Sequence, residues 1–234
     1  MTDLTEAFFE TLRRVDTPTV CNAIEVAQGR RGFDAFTRRT MQVADPALQP
    51  IVGYAKTARI KASAPAAEPP ETIKARRMAY YRYMSEPPRP AVVVIEDVDE
   101  PDCVGAYWGE INAAVHKGFG LAGAVTNGVM RDLDALAPGF QILAGSVGPS
   151  HGFVHVLDFD QPVSVLGMDV APGALIHADR HGAVCIPDDV VSALPAAIET
   201  LMASEKLVLD PAGRPGFDFE AFEKAWQAFE AART

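Results

Sequence analysis

The sequence is poor in residues that mark several protein classes. It has only 3 cysteines in 234 residues, at Cys21, Cys103 and Cys185, and none forms a CxxC motif. A sparse, odd number of cysteines argues against a disulfide scaffold and fits a reducing compartment. The acidic segment Met1–Glu6 also lacks the basic and apolar regions of a signal peptide. We therefore expect a cytoplasmic protein.

Basic residues are also in short supply. The chain carries 21 Lys and Arg against 31 Asp and Glu, which leaves a formal charge of -10. Such a field repels nucleic-acid phosphates and anionic lipid headgroups, so neither nucleic acid nor a membrane is an expected partner. The longest stretch without Asp, Glu, Lys or Arg, residues 135–157, is broken by glycines and a proline and does not predict a membrane-spanning helix.

The order of apolar segments predicts an α/β fold. Strands are predicted at 52–60, 91–95 and 122–126, with helices between them at 71–84 and 109–117, which is the alternation of an α/β unit. Beyond residue 140, Gly and Pro separate short apolar runs, which predicts a β-rich half. The remaining predicted helices are 4–15, 17–27, 132–137, 188–206 and 219–232, and the remaining strands are 153–159, 162–166, 174–177 and 183–186.

No flexible linker divides the two halves, so the sequence predicts one domain over residues 1–234. A GxGxxG match at Gly118–Gly123 follows a predicted helix and precedes a strand. Dinucleotide binding needs the opposite order, with the glycines after a strand and at the start of a helix. We therefore interpret these glycines as a helix-to-strand turn.

Two short motifs follow predicted strands and point to a binding site. Gly109-Glu110-Ile111-Asn112 opens a predicted helix, whose first N–H groups suit an anion. Arg131-Asp132 follows the strand 122–126, and Arg131 offers a fork for a carboxylate while Asp132 offers one hard oxygen ligand for Mg²⁺. Ligands of open α/β sheets collect at such strand ends. A surface Arg-Asp pair that caps the next helix explains the second motif equally well.

A histidine cluster provides an alternative metal site. His177, Asp179 and His181 alternate along the sequence, so a continuous strand would place them on one face, as in a two-His, one-carboxylate iron or zinc site. His151 and His155 lie nearby in the sequence. Residues 179–182, however, are typical of a turn, which favours structural histidines that hydrogen-bond within the fold.

The combination of motifs resembles the RraA-like family. This family includes the 4-hydroxy-4-methyl-2-oxoglutarate aldolases and the regulator of ribonuclease E activity. The resemblance rests on the ordered Gly-Glu-x-x and Arg-Asp motifs and covers a core of about residues 17–190. Three further segments also read like the family: 17–20, 53–58 and 172–179.

The resemblance implies a swivelling α/β/β sandwich with flanking N- and C-terminal helices, the latter at about 188–232, assembled as a homotrimer or homohexamer. It implies a carbon–carbon lyase, either an aldolase or a decarboxylase resembling those that act on oxaloacetate, in which Mg²⁺ or Mn²⁺ stabilises a pyruvate enolate. Asp132 would be the metal ligand, and Arg131 with the segment Gly109–Asn112 would hold a small 2-oxo acid. An acid from a neighbouring subunit, with Glu205 as one candidate, would assist.

The resemblance leaves the chemistry partly open. Family aldolases tend to carry an acid three residues after the metal aspartate, but Ala135 stands there and the acid is Asp134. This departure and the extra histidines suggest a different substrate. The family also contains non-catalytic regulators, so an acidic protein that binds a ribonuclease or helicase is an alternative function.

Overall fold

A computed structural model describes residues 4–233 of the chain. Within this range the chain forms six α-helices and 13 strands. The helices are α1 (Glu6–Arg13), α2 (Thr17–Gln28), α3 (Pro70–Ser85), α4 (Glu110–Gly118), α5 (Leu194–Ala212) and α6 (Phe219–Arg233). The strands are β1 (Gln42–Val43), β2 (Ile51–Lys61), β3 (Ala91–Asp97), β4 (Ala106–Trp108), β5 (Gly123–Thr126), β6 (Val129–Met130), β7 (Gln141–Ala144), β8 (Ser146–Val147), β9 (His155–Phe159), β10 (Val163–Val165), β11 (Met168–Val170), β12 (Leu175–Asp179) and β13 (Gly182–Ile186).

An eight-stranded sheet forms the centre of one of two compact units, which contains the described residues up to Thr17 and Asp34–Pro187. Its strand order is β1-β7-β5-β3-β2-β12-β13, and β9 pairs with the second half of β2. β2, β3, β5 and β7 run parallel to their neighbours in this group, whereas β12 is antiparallel to β2. Strands that return through helices run parallel, so the predicted α/β unit is confirmed.

Both faces of the main sheet are covered, which explains the continuous apolar run of β3. Val93 and Ile95 contribute to a core cluster that includes Tyr80 of α3. Val92 and Val94 contribute to a second cluster on the opposite face, together with the apolar residues of the β10–β11 hairpin. The resulting layers are helices, the main sheet and a further β layer. The α/β/β sandwich expected for this chain is therefore confirmed.

A smaller parallel sheet continues beyond the carboxyl ends of the main strands. β4, β6 and β8 follow β3, β5 and β7 along the chain, and they pair in the order β4-β6-β8. Each has only two or three residues, too few for hydrophobic periodicity to reveal. This small sheet positions the two loops of the candidate site.

Two predicted helices differ clearly from the structure. The helix predicted at 188–206 spans Leu194–Ala212 instead, and its start places Pro195 in the first turn, where proline is tolerated. The helix predicted at 132–137 is only a 3₁₀ turn, Leu133–Ala135, because the left-handed Asp132 before it and the extended Leu136 after it cannot continue a helix. The glycine-rich segment 118–123 is a helix-to-strand turn, as predicted.

The second compact unit contains Pro18–Phe33 and the chain from Asp188 onward. α5 packs against α6, and the buried side chains of this unit include Val20, Ile24, Ile198 and Leu201. No helix within residues 4–233 is both long and apolar enough to cross a lipid bilayer.

Candidate active site

The register of the small sheet brings the two predicted loops together. Trp108 at the end of β4 pairs with Met130 at the end of β6. The N–H of Arg131 donates a hydrogen bond to the Trp108 carbonyl at 2.8 Å. Gly109 and Arg131 are therefore neighbours at one end of the paired strands. The sequence placed both loops at strand ends, and the structure places them side by side.

Gly109 lets the Arg131-Asp132 loop approach the start of α4. A Cβ at this position would lie 2.6 Å from Asp132 Oδ2 and 3.2 Å from Arg131 Nε. The Glu110 N–H donates a hydrogen bond to Asp132 Oδ2 at 3.2 Å, so the carboxylate of one loop caps the helix that begins in the other. A larger residue at this position would force the Asp132 and Arg131 side chains to move.

The first turn of α4 provides donors for an anion. The N–H groups of Ile111 and Asn112 precede the first regular helical hydrogen bond, which the Ala113 N–H donates to the Gly109 carbonyl at 3.0 Å. Such groups have no acceptor within a helix, and together with the helix dipole they favour a negative ligand. The exposed Glu110 side chain adds a negative charge at this turn, so the groups of this segment that suit an anion are its backbone N–H groups.

Arg131 and Asp132 form a half-exposed pair of opposite charge. Arg131 Nε lies 3.5 Å from Asp132 Oδ2, and 35% and 36% of the two side chains are exposed. Asp132 has a φ of 57°, in the left-handed region that aspartate tolerates better than most residues. A solvent-exposed ion pair contributes little stability, so a ligand that engages either side chain displaces a weak contact.

The Asn112 side chain is engaged within the fold. Its Nδ2 donates to the Tyr107 carbonyl at 2.6 Å, and its Oδ1 accepts a hydrogen bond from the Tyr81 hydroxyl at 2.7 Å. Both polar atoms of the amide therefore have partners that fix the first turn of α4. The substrate-binding role expected for Asn112 concerns its backbone N–H, and that expectation stays a prediction.

A buried histidine supports the same helix. His116 Nδ1 lies 2.7 Å from the Asn112 carbonyl, and His116 Nε2 lies 2.7 Å from the Tyr80 hydroxyl. Because a carbonyl only accepts, Nδ1 carries the proton and Nε2 accepts from Tyr80. Burial lowers the pKa of His116 to about 4, so the ring is neutral near pH 7.

The donor set around Asp132 suits a hard divalent cation held mainly by other ligands. Asp132 Oδ2 accepts from Glu110, whereas no hydrogen bond from residues 4–233 reaches Oδ1. In the same range, no three His, Cys, Asp or Glu side chains come together to hold a metal ion. A single carboxylate fits Mg²⁺, which keeps several waters and binds substrate oxygens, better than it fits zinc or non-haem iron.

The alternative histidine site is not assembled. His177 Nδ1 lies 3.0 Å from Thr17 Oγ1, and His177 Nε2 lies 3.0 Å from the Leu12 carbonyl. Both ring nitrogens of His177 therefore have partners in the N-terminal segment. Asp179 instead accepts from the backbone N–H of Thr17 and contacts the ring of His181.

The two remaining histidines of the cluster have local partners. His151 Nδ1 contacts the Gly152 carbonyl and His155 Nδ1 contacts the Phe153 carbonyl, at 2.7 and 2.8 Å. Glu205 lies on α5 in the second compact unit and is partly buried.

Sequence reasoning missed the residues that support the site from within. Tyr81 holds the Asn112 amide, and Tyr80 holds the ring of His116. The sequence presents the two tyrosines only as part of a helix with a mixed pattern of apolar and charged residues. Their roles depend on α3 packing beside α4, which no local motif reports.

Comparison with known proteins bears on the family and the fold of this chain. A family model described as RraA-like (Aldolase/RraA) matches residues 17–185. A 110-residue segment is 26% identical to protein DlpA of Legionella pneumophila, covering 46% of this chain but only 18% of that protein. The chain thus spans less than a fifth of this curated relative.

Solved structures share the fold at low sequence identity. RraAS2 of Streptomyces coelicolor, described as an unusual member of the RNase ES inhibitor RraA protein family, is 21% identical with a TM-score of 0.66, over 92% of this chain and 100% of that chain. An uncharacterised protein of Pseudomonas syringae is 19% identical with a TM-score of 0.69, over 97% and 95%. A structure described as a novel cellulase from gut-associated microbes is 17% identical with a TM-score of 0.71, over 88% of each chain.

These three likenesses establish the fold alone, whereas the family model covers most of the chain and includes both loops of the site. The chain belongs to the RraA-like family, which contains metal-dependent aldolases and lyases as well as non-catalytic inhibitors of ribonuclease E.

Proposed function

We propose that this protein is a divalent-metal-dependent lyase that cleaves or decarboxylates a small 2-oxo acid. One observation carries the proposal. The Asp132 carboxylate, the Arg131 guanidinium and the N-terminus of α4 meet at the ends of β4 and β6, with Gly109 providing the space between them. This arrangement offers an anion-binding surface beside a carboxylate that is suited to a cation.

Each group has a distinct role in this proposal. Arg131 pairs with the carboxylate of the 2-oxo acid, because its planar fork matches carboxylate geometry. The N–H groups of Ile111 and Asn112 hold the same end of the substrate. Asp132 holds the metal, Mg²⁺ or Mn²⁺, which when bound acts as a Lewis acid toward the substrate oxygens.

The positive charge of Arg131 also lies where negative charge develops. Breaking a carbon–carbon bond next to a 2-oxo acid leaves an enolate, and a preorganised cation stabilises that charge more than it stabilises the neutral ketone. The proposed reaction also needs a general base. We propose an acid from a neighbouring subunit, with Glu205 as the candidate in this chain.

The experiment measures pyruvate release. The purified protein is incubated with 4-hydroxy-4-methyl-2-oxoglutarate or oxaloacetate, with Mg²⁺, with Mn²⁺ and in metal-free buffer. We expect metal-dependent release that falls at least about a hundredfold in Asp132→Ala, because the metal contributes several kcal/mol to the transition state. Asp134→Ala is the matched control, since Asp134 is an exposed acid on the same turn. Absence of activity with both substrates, or equal activity in Asp132→Ala, would refute the proposal.

We further propose a homotrimer or homohexamer. RraA-like proteins typically oligomerise. Three large apolar side chains next to the site are exposed in the single chain: Ile111 by 75%, Leu133 by 43% and Val147 by 48%. A subunit contact would shield them from water. Sedimentation should give three or six copies for the native chain and a lower number for Ile111→Glu.

A regulatory role is the second candidate. The formal charge of -10 suits a basic partner such as a ribonuclease or helicase, and part of the family has this function. This role does not need the metal carboxylate. Inhibition of a ribonuclease that persists in Asp132→Ala, without any lyase activity in the native protein, would favour it.

A cytoplasmic location is also part of the proposal. No disulfide links the three cysteines, all of which lie within residues 4–233. This fits a reducing compartment.

A further inference from the structure

A second cleft opens at the end of the main sheet opposite the candidate active site. Pro50 precedes the first residue of β2, and Asp179 ends β12, which is antiparallel to β2. Asp132, in contrast, lies beyond the carboxyl end of β5. The cleft has a volume of about 520 Å³, and we call it the edge cleft. It is formed by the last residue of α1 with the three that follow it (residues 13–16), the loop 46–50 and the turn 179–181.

A smaller cavity of about 300 Å³ adjoins the edge cleft. The two share Arg13 and the loop residues Leu48, Gln49 and Pro50. The volumes of both the edge cleft and the adjoining cavity are within the range of small-molecule sites.

Positive charge is concentrated in the edge cleft, although the chain as a whole is strongly acidic. Arg13, Arg14, Arg180 and His181 contribute to its lining, against the acids Asp16 and Asp179. In a protein with a formal charge of -10, the lining of this cleft carries three arginines against two aspartates, a local excess of positive charge. Such an excess favours anions.

Arg13 is held in place without being strongly bound. Its Nη1 lies 2.6 Å from Glu6 Oε1, and its guanidinium carbon lies 6.0 Å from the centre of the Phe9 ring. The Glu6 side chain is 67% exposed, so this ion pair contributes little stability and exchanges readily for a ligand carboxylate. Arg14 makes a longer contact of 3.5 Å with Glu10 and is 76% exposed.

The opposite wall of the cleft is a tight hairpin turn. Asp179 pairs with Gly182 across the turn, and Gly182 has a φ of 131°, which only glycine adopts readily. The turn holds the backbone of Arg180 and His181 in one conformation. The Arg180 side chain is exposed and forms no ion pair with any residue in the described part of the chain.

Asp179 orients His181, and its oxygens are engaged by hydrogen bonds within the fold. It is 6% exposed, and its oxygens accept from the Thr17 N–H at 3.0 Å and the His181 N–H at 2.8 Å. Burial acts to raise the pKa of Asp179, but these hydrogen bonds together outweigh burial and lower it. The carboxylate lies 3.1 Å from His181 Nδ1, which leaves Nε2 as the donor or acceptor for a ligand.

We propose that the edge cleft binds a small di- or tricarboxylate, with Arg13 and Arg180 pairing with separate carboxylate groups. The class follows from the placement of the cations. Arginine forks match carboxylates, and here they stand on two different elements that line one cleft, the end of α1 and the turn 179–181, so that one ligand pairing with both needs two anionic ends.

The test is calorimetric titration with citrate in metal-free buffer, with Arg180→Gln as the main variant. Arg180 lies on an exposed turn, so its substitution spares the core. Loss of one charge-assisted contact should weaken citrate binding about tenfold. Arg13→Gln should weaken it similarly, and the control Arg131→Gln, in the candidate active site, should leave it unchanged. These outcomes do not depend on lyase activity.

Several results would overturn the proposal. Absence of citrate binding, or equal weakening by Arg131→Gln, would remove the edge cleft as the site. Inorganic phosphate that binds as tightly as citrate would show that two anionic ends are not required. A change of oligomeric state in Arg180→Gln, with citrate binding intact, would identify the cleft as a subunit contact.

Discussion

The buried ring of His116 makes the stability of the protein sensitive to acid. The side chain has no exposed surface and lies between the Asn112 carbonyl and the Tyr80 hydroxyl. Burial lowers its pKa from 6.5 to about 4, because the charged ring cannot be hydrated there. The folded state therefore binds the proton less tightly than the unfolded state. The contribution of His116 to stability is complete above about pH 6.5 and is lost as the pH falls toward 4.

The expected loss follows from the two pKa values. At about 1.4 kcal/mol for each tenfold change, the full effect well below pH 4 is about 3 kcal/mol, and about 2 kcal/mol is already lost at pH 5. Urea unfolding followed by circular dichroism at about pH 8 and pH 5 measures this difference. His177, whose pKa burial also lowers, adds to the loss in the native chain.

A non-titrating variant separates His116 from the other groups. His116→Gln should be less stable at pH 8, because a shape-matched buried contact is lost. Between pH 8 and pH 5, however, the free energy of unfolding of the variant should fall by about 2 kcal/mol less than that of the native chain. His151→Gln, at an exposed position, should retain the native decline. If His116→Gln lost as much stability on acidification as the native chain, the reasoning from burial would be wrong.

Three further substitutions test the site and its support. Gly109→Ala should reduce metal-dependent activity at least about tenfold, because the new Cβ would meet Asp132 Oδ2 at 2.6 Å. A Kd of the variant for Mg²⁺ equal to the native value would contradict this displacement of Asp132. Tyr81→Phe should raise KM severalfold with little change in kcat, because Asn112 would no longer hold the first turn of α4 through its Oδ1. Asp97→Asn should enlarge the gain of stability between about pH 4 and pH 7 that deprotonation of the buried histidines gives the native chain. Burial raises the pKa of Asp97, whose Oδ2 has no hydrogen-bond partner, so ionisation of this group opposes that gain; denaturant curves at the two pH values that show an equal or smaller gain in the variant would contradict this.

The strongest sequence predictions came from residues whose local pattern decides their structure. The run Ala91–Ile95 predicted a strand covered on both faces, and the structure buries all five side chains completely. Pro195 shows the limit of such reasoning. The sequence pattern predicted that α5 begins at 188, whereas Pro195 marks its first turn in the structure.

In the candidate site, too, local sequence patterns determined some features and the tertiary structure determined others. The sequence alone determined that an Arg-Asp pair and a Gly-Glu helix start follow strands, and that their chemistry suits an anion and a cation. Only the tertiary structure decided that they meet, because the short strands β4 and β6 pair Trp108 with Met130 through contacts distant in sequence.

The tertiary structure also decided the roles of the polar side chains. His177 faces the carbonyl of Leu12, so its ring is not left to bind a metal as its sequence position had suggested. The Asn112 side chain bonds to Tyr81, so only the backbone N–H of that residue is left for a ligand. The physical reason is that a buried polar atom must find a partner, and the partner is chosen by packing between elements. The sequence thus determined which chemistry the chain can offer, and the fold decided which of those groups remain open to a ligand.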